Sequence, residues 1–170
     1  MSVKRELHEC KGLKGVMVGR AFAANPWTFA MADHVLNNDN SPIQLVSNKP
    51  KNRLELLKAY CQHADMEEEI WGAIKVRRFI VKAISTLFTG EHNSKFYKIA
   101  LNDIAGLPKK LSLEGKSMEG QPPLSESIMN AALEHLSEEV LLMSPEESLN
   151  NLIFEEERQN NARNSILIAG

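Results

Sequence analysis

Residues 15–27 read GVMVGRAFAANPW, and the fold turns on how they are read. Val16, Met17 and Val18 form an apolar run beside Gly15 and predict a short buried strand over 14–18. Gly19 and Arg20 predict a turn after it. Asn25 predicts an N-cap, with Pro26 at the first position of a helix running to about residue 36. A strand that ends in glycine and feeds a helix suits phosphate binding, because the backbone N–H groups behind it converge on an anion. A glycine in that place usually marks a plain turn. The whole string, closed by Asn-Pro-Trp, is more specific. One strand cannot pair its own edges or bury both faces, so the stretch predicts a piece of a larger sheet.

Outward from that stretch the pattern is helical. Residues 2–10 read as a short helix, and 37–51, with Pro42 and Pro50, as a linker. A helix is expected over 53–63. A second should start at Asp65, where Glu68 completes a capping box, and reach about 88 with Ile70, Ile74, Val81, Ile84 and Phe88 as its buried stripe. Gly90 should end it. Asn93 should cap a helix over 94–105, stopped by Gly106 and Pro108, with 109–123 as loop and 125–136 helical again. Ser144-Pro145-Glu146-Glu147 is a full capping box for a last helix to about 158, and 159–170 read as a mobile end.

Of the 170 residues 43% are apolar, enough for a core and too many for global disorder. No apolar run approaches the roughly 20 residues that cross a bilayer, so no membrane partner is expected. The first residues lack the apolar middle of a secretory signal. Cys10 and Cys61 make neither a disulfide framework nor a ligand pattern, which fits a reducing compartment. A cytoplasmic protein is expected, with an organelle left open. The net charge of −2 hides an asymmetry: 71–116 holds nine Lys/Arg against three Asp/Glu, and 117–170 two against ten.

Within the basic block, Lys75, Arg78 and Lys82 share one helix face at three- and four-residue spacing. Such a ridge suits a phosphate backbone; it is equally the wet face of an ordinary amphipathic helix. Lys95 and Lys98 extend the basic region onto the next helix. Arg77 faces the apolar stripe, so it should either pair with a carboxylate or bend back to water. Trp27 and Trp71 are expected as packing anchors, and Cys61 as a core residue. The histidines at 8, 34, 63, 92 and 135 have no metal-ligand spacing, and no nucleotide-loop, hydrolase or zinc-protease motif occurs.

GVMVGRAFAANPWTF, at 15–29, resembles the eighth strand and following loop of the tRNA-dihydrouridine synthases. VRRFIVKAISTLFTGEHNSKFYKIALND, at 76–103, is similar to the helical domain of their A-type branch, and 124–149 more weakly to the tail of longer members. The resemblance implies a mainly α chain: one terminal βα unit of a flavin-binding (β/α)8 TIM barrel followed by a helical tRNA-binding domain. The barrel remnant would occupy 1–40, the linker 41–52, the helical domain 53–158 and a tail 159–170. It implies a C-terminal fragment of an enzyme, monomeric when complete, that reduces uridine to dihydrouridine in tRNA with FMN, and with NADPH as reductant. By resemblance, Gly19 and Arg20 would contact the FMN phosphate, and Lys75, Arg78, Lys82, Lys95 and Lys98 would bind tRNA. The family's catalytic cysteine has no counterpart, because neither Cys10 nor Cys61 sits in an Asn-x-x-Cys-Pro-like context. No catalytic residue and no metal site are expected here, and the fragment alone should be inactive. Two other readings stay open: a stand-alone RNA-binding module, and a helical protein-interaction module. The unpaired strand leads to one further expectation, that removing residues 1–40 improves solubility.

Overall fold

The computed structural model describes residues 17–31, 50–148, 150, 151, 154 and 158. The described elements are α1 (Gly19–Ala24), a 3₁₀ turn (Pro26–Phe29), α2 (Arg53–Trp71), α3 (Ala73–Ile84), α4 (Ser94–Leu113), α5 (Leu124–His135) and α6 (Glu138–Leu142). A further helical segment covers 145–148, and 150, 151, 154 and 158 are helical too. The mainly α expectation holds, and no strand occurs among the described residues.

Four helices close a ring: α2 packs on α3, α3 on α4, α4 on α5, and α5 back on α2. Each contributes a stripe at helical spacing. Leu57, Cys61 and Ala64 supply it on α2; Val76, Ile80, Val81 and Ile84 on α3; Tyr97 and Leu101 on α4; Leu124, Ile128, Ala131 and Ala132 on α5. Phe88, in the turn after α3, meets Tyr97 edge to face at 5.1 Å between ring centroids. Cys61 is buried, as expected.

Several expectations are corrected. The strand over 14–18 falls largely outside the described residues, but its last two, Met17 and Val18, lie in no strand, and Met17 is 95% exposed. The chain bonds locally there: Phe22 N–H donates to the Val18 carbonyl at 2.9 Å, and Gly19 opens a helix instead of a turn. The helix expected from Asn25 to 36 is a 3₁₀ turn ending at Phe29, and 32–36 lie outside the described residues. Asn25 makes no side-chain cap; its amide donates to the Thr89 carbonyl at 3.4 Å.

The break expected near Asp65 comes instead at Gly72, whose φ of +80° and ψ of 147° few residues with a Cβ can adopt. Asp65 lies inside α2, and its carboxylate accepts from Ser125 N–H at 2.8 Å, satisfying an orphan donor in the first turn of α5. The break resets the helical phase. Ile70 and Ile74, expected inside, are therefore 66% and 64% exposed, and Val76 and Ile80 take their place. Trp71, beside the break, is also exposed, whereas Trp27 is buried as expected.

α3 ends at Ile84, six residues before Gly90. Asn93 precedes α4 in the left-handed region (φ 62°) and makes no side-chain cap. α4 runs through Gly106 and Pro108 to Leu113. The stop is Gly115 (φ +70°): Lys116 N–H donates to the Leu111 carbonyl at 2.8 Å and Gly115 N–H to that of Ser112 at 3.2 Å, the paired bonds of a Schellman motif. The second capping box forms as read. Ser144 N–H donates to Glu147 Oε2 at 2.9 Å, and Glu147 N–H to Ser144 Oγ at 3.2 Å.

Candidate functional site

Two surfaces and one cavity carry the chemistry-bearing side chains. The first surface is α1. Gly19 and Arg20 are exposed, no residue of α1 is buried, and a Cβ built on Gly19 would meet nothing within 4 Å. The first amides of this six-residue helix have no intrahelical acceptor, but nothing walls them in. A flavin needs faces to hold its ring as well as donors for its phosphate. Gly19 and Arg20 lie on an open surface among the described residues, so these residues do not by themselves fit the whole cofactor.

The second surface is built on α3, whose sequence AIKVRRFIVKAI contains no acid. Burial of Val76, Ile80, Val81 and Ile84 turns Lys75, Arg78 and Lys82 outward, all three exposed. Within the described residues none of the three has a carboxylate at ion-pair distance. Lys95 and Lys98 are exposed on α4, the helix packed against α3. Arg77 behaves differently, as its position predicts. It is 2% exposed and grips Glu68 on α2 with two nitrogens, Nε at 3.0 Å from both carboxylate oxygens and Nη2 at 2.8 Å from Oε1. This fork ties α2 to α3 across the Gly72 corner and fixes the rotation at which α3 presents its cations.

The cavity, of about 400 Å³, lies where the 25–28 segment meets the start of α2, the 89–91 turn and the helical segment that begins at 145. Arg53 is its charged wall. The guanidinium is buried, 2.6 Å from Glu91 Oε1, and lies 5.3 Å from the Trp27 ring and 5.6 Å from the Phe88 ring. Burial lowers the Arg53 pKa, and the charge of Glu91 opposes that shift. Trp27 Nε1–H donates to Ser148 Oγ at 2.7 Å, and Thr86 Oγ1–H to the Ala23 carbonyl at 2.9 Å. These contacts seat the N-terminal segment on the helical ring. Sequence reasoning missed Arg53 and Glu91; 38 positions apart, they carry no local signal.

Cys61 is no candidate acid. It packs inside α2 with Sγ 3.6 Å from the Ser125 carbonyl, and burial pushes its thiol up to about 11. Cys10 lies outside the described residues. No group of three or more His, Cys, Asp or Glu that could hold a metal occurs among the described residues.

The sequence model of the family described as Dihydrouridine synthase (Dus) matches residues 2–121, well over half of the chain. The chain belongs to the dihydrouridine synthase family. No curated protein and no solved structure matches it. The match runs from before α1 through α2, α3 and α4, so α1 and the basic ridge both lie within the family's own sequence pattern. No described helix of this Dus-family chain is long and apolar enough to cross a membrane.

Proposed function

We propose that this chain is the C-terminal part of an A-type tRNA-dihydrouridine synthase and that its helical ring is the tRNA-binding domain. The observation that carries the reading is the ridge of Lys75, Arg78 and Lys82, exposed and unpaired within the described residues of a Dus-family chain. Cations with no acid beside them are free to replace the counterions of a phosphate backbone. Lys95 and Lys98 extend the footprint. In the complete enzyme, FMN with NADPH as reductant would reduce uridine to dihydrouridine, and Gly19 and Arg20 would contribute to the phosphate end of the flavin site. That no residue of α1 is buried supports its being one edge of a larger unit, with 1–40 as the barrel-derived part, 41–52 as linker and 53–158 as helical domain. A monomeric cytoplasmic enzyme is the corresponding whole.

Filter binding of tRNA across a salt series tests the reading. Each cation lost from the contact should reduce the slope of log K against log salt by roughly 0.7–0.9. The triple variant Lys75→Ala, Arg78→Ala, Lys82→Ala should therefore flatten it by about 2–3. An unchanged slope would remove the ridge from the interface. Purified chain should carry no stoichiometric flavin absorbance after gel filtration; a bound equivalent would overturn the division of the cofactor site.

A second reading has its own observation. Met66, Ile70, Trp71 and Ile74 are all more than half exposed around the Gly72 corner, an apolar cluster suited to a protein partner.

A further inference from the structure

Phe79 is the most exposed aromatic residue among those described, at 73%. It stands on the basic face of α3, four residues after Lys75 and three before Lys82, which are the spacings of helix neighbours. Its own helix explains why it has no packing role: Val76, Ile80, Val81 and Ile84 already fill the inward stripe. No ring among the described residues stacks on it. A bare aromatic face is thus framed by two cations about 10 Å apart along the helix axis, with Arg78 beside them.

Anion binding alone needs no ring. Duplex RNA offers phosphates on its outside but keeps its base faces stacked within. An unpaired strand offers both, and cations interleaved with aromatic side chains are how proteins hold one. We propose that Phe79 is a stacking platform for an unpaired nucleobase of RNA, whose flanking phosphates rest on Lys75 and Lys82. The proposal rests on the RNA-binding reading of the ridge and deepens it: the ridge takes single-stranded or looped RNA in preference to helix.

The test uses the full chain and two RNA probes, a 12-nucleotide single strand carrying one 2-aminopurine and a 12-base-pair duplex, followed by anisotropy and by 2-aminopurine emission. The wild type should bind the single strand more tightly than the duplex at equal salt and quench the probe. Phe79→Leu keeps an apolar side chain at an exposed site. It should weaken single-strand binding about 5- to 100-fold, abolish the quench, and leave duplex binding within about twofold. Phe79→Trp should keep both. Equal losses on the two probes, or none on either, would overturn the stacking role. If the duplex binds in a Lys75- and Lys82-dependent way while Phe79 is immaterial, the ridge reading stands and this inference falls. If neither RNA binds, both fall. Phosphatidylserine vesicles form the last arm: binding to them that depends on Phe79, with no single-strand binding, would reassign the face to a membrane surface.

Discussion

Replacing Glu91 by Gln tests the clamp that seats Trp27. The substitution keeps shape and removes a charge, leaving the Arg53 guanidinium buried without its counterion. Breaking a buried ion pair from one side costs about 3–5 kcal/mol. Two features of the site reduce that figure. The Glu91 side chain is 22% exposed, so water reaches the pair from one end. The rings of Trp27 and Phe88 also remain against the cation, at 5.3 and 5.6 Å, and their π faces still partly compensate its charge. The expected loss is therefore about 2–3 kcal/mol. Arg53→Met should cost less, about 1–2 kcal/mol, because it leaves behind only a carboxylate that water can reach. The double variant should be no worse than Arg53→Met alone. Urea unfolding followed by circular dichroism at 222 nm gives the three values, with constant m as the check on two-state behaviour. A Glu91→Gln loss below about 0.5 kcal/mol, in the range of an exposed pair, would refute this account, and so would additive single losses.

Gly72→Ala should destabilise by about 1–3 kcal/mol for a purely conformational reason, since a Cβ there meets nothing within 4 Å but φ is +80°; a neutral result in the same urea assay would mean the corner relaxes. Cys61 keeps its proton to about pH 11 in the fold against 9.0 in the free thiol. The unfolded chain therefore deprotonates first, so the contribution of Cys61 to stability should be level below pH 9 and be lost as pH rises from 9 towards 11. Tyr97, likewise raised by burial, adds to the decline above pH 10. In a Cys10→Ser background, iodoacetamide should label Cys61 slowly at pH 8; rapid labelling would contradict its burial. Removing residues 1–40 also removes Trp27, which is 5% exposed in the common core, so the truncated chain should melt at lower temperature and aggregate more, opposite to the solubility gain that an unpaired strand suggests. A rise in melting temperature would show Trp27 to be dispensable.

Signals confined to a few neighbouring residues were readable from sequence. The capping box at 144–147 follows from spacing, and amphipathic phase turns Arg77 toward the apolar stripe while leaving open the choice that Glu68 decides. Failures came where a residue's partner lies far along the chain. Asp65 has every local mark of an N-cap, but the amide it satisfies belongs to α5, 60 positions away. Gly106 and Pro108 outrank Gly115 as helix breakers, yet Pro108 is buried and the helix continues past it. A stripe continued straight through Gly72 puts Ile70 and Ile74 inside, and the phase shift at that one residue turns them out. At the basic ridge, the exposure of Lys75, Arg78 and Lys82 followed from periodicity. The isolation of Phe79 did not, because it depends on which hydrophobic residues the ring of helices consumes.

The Trp27–Ser148 hydrogen bond joins positions 121 residues apart. On the ribosome the indole therefore emerges long before its acceptor exists. At ~5–20 residues per second, synthesis of the intervening stretch leaves this ring unsheltered for roughly 6–24 s. During that interval the nascent chain offers chaperones an uncovered tryptophan, and the clasp can shut only once Ser148 has followed it out.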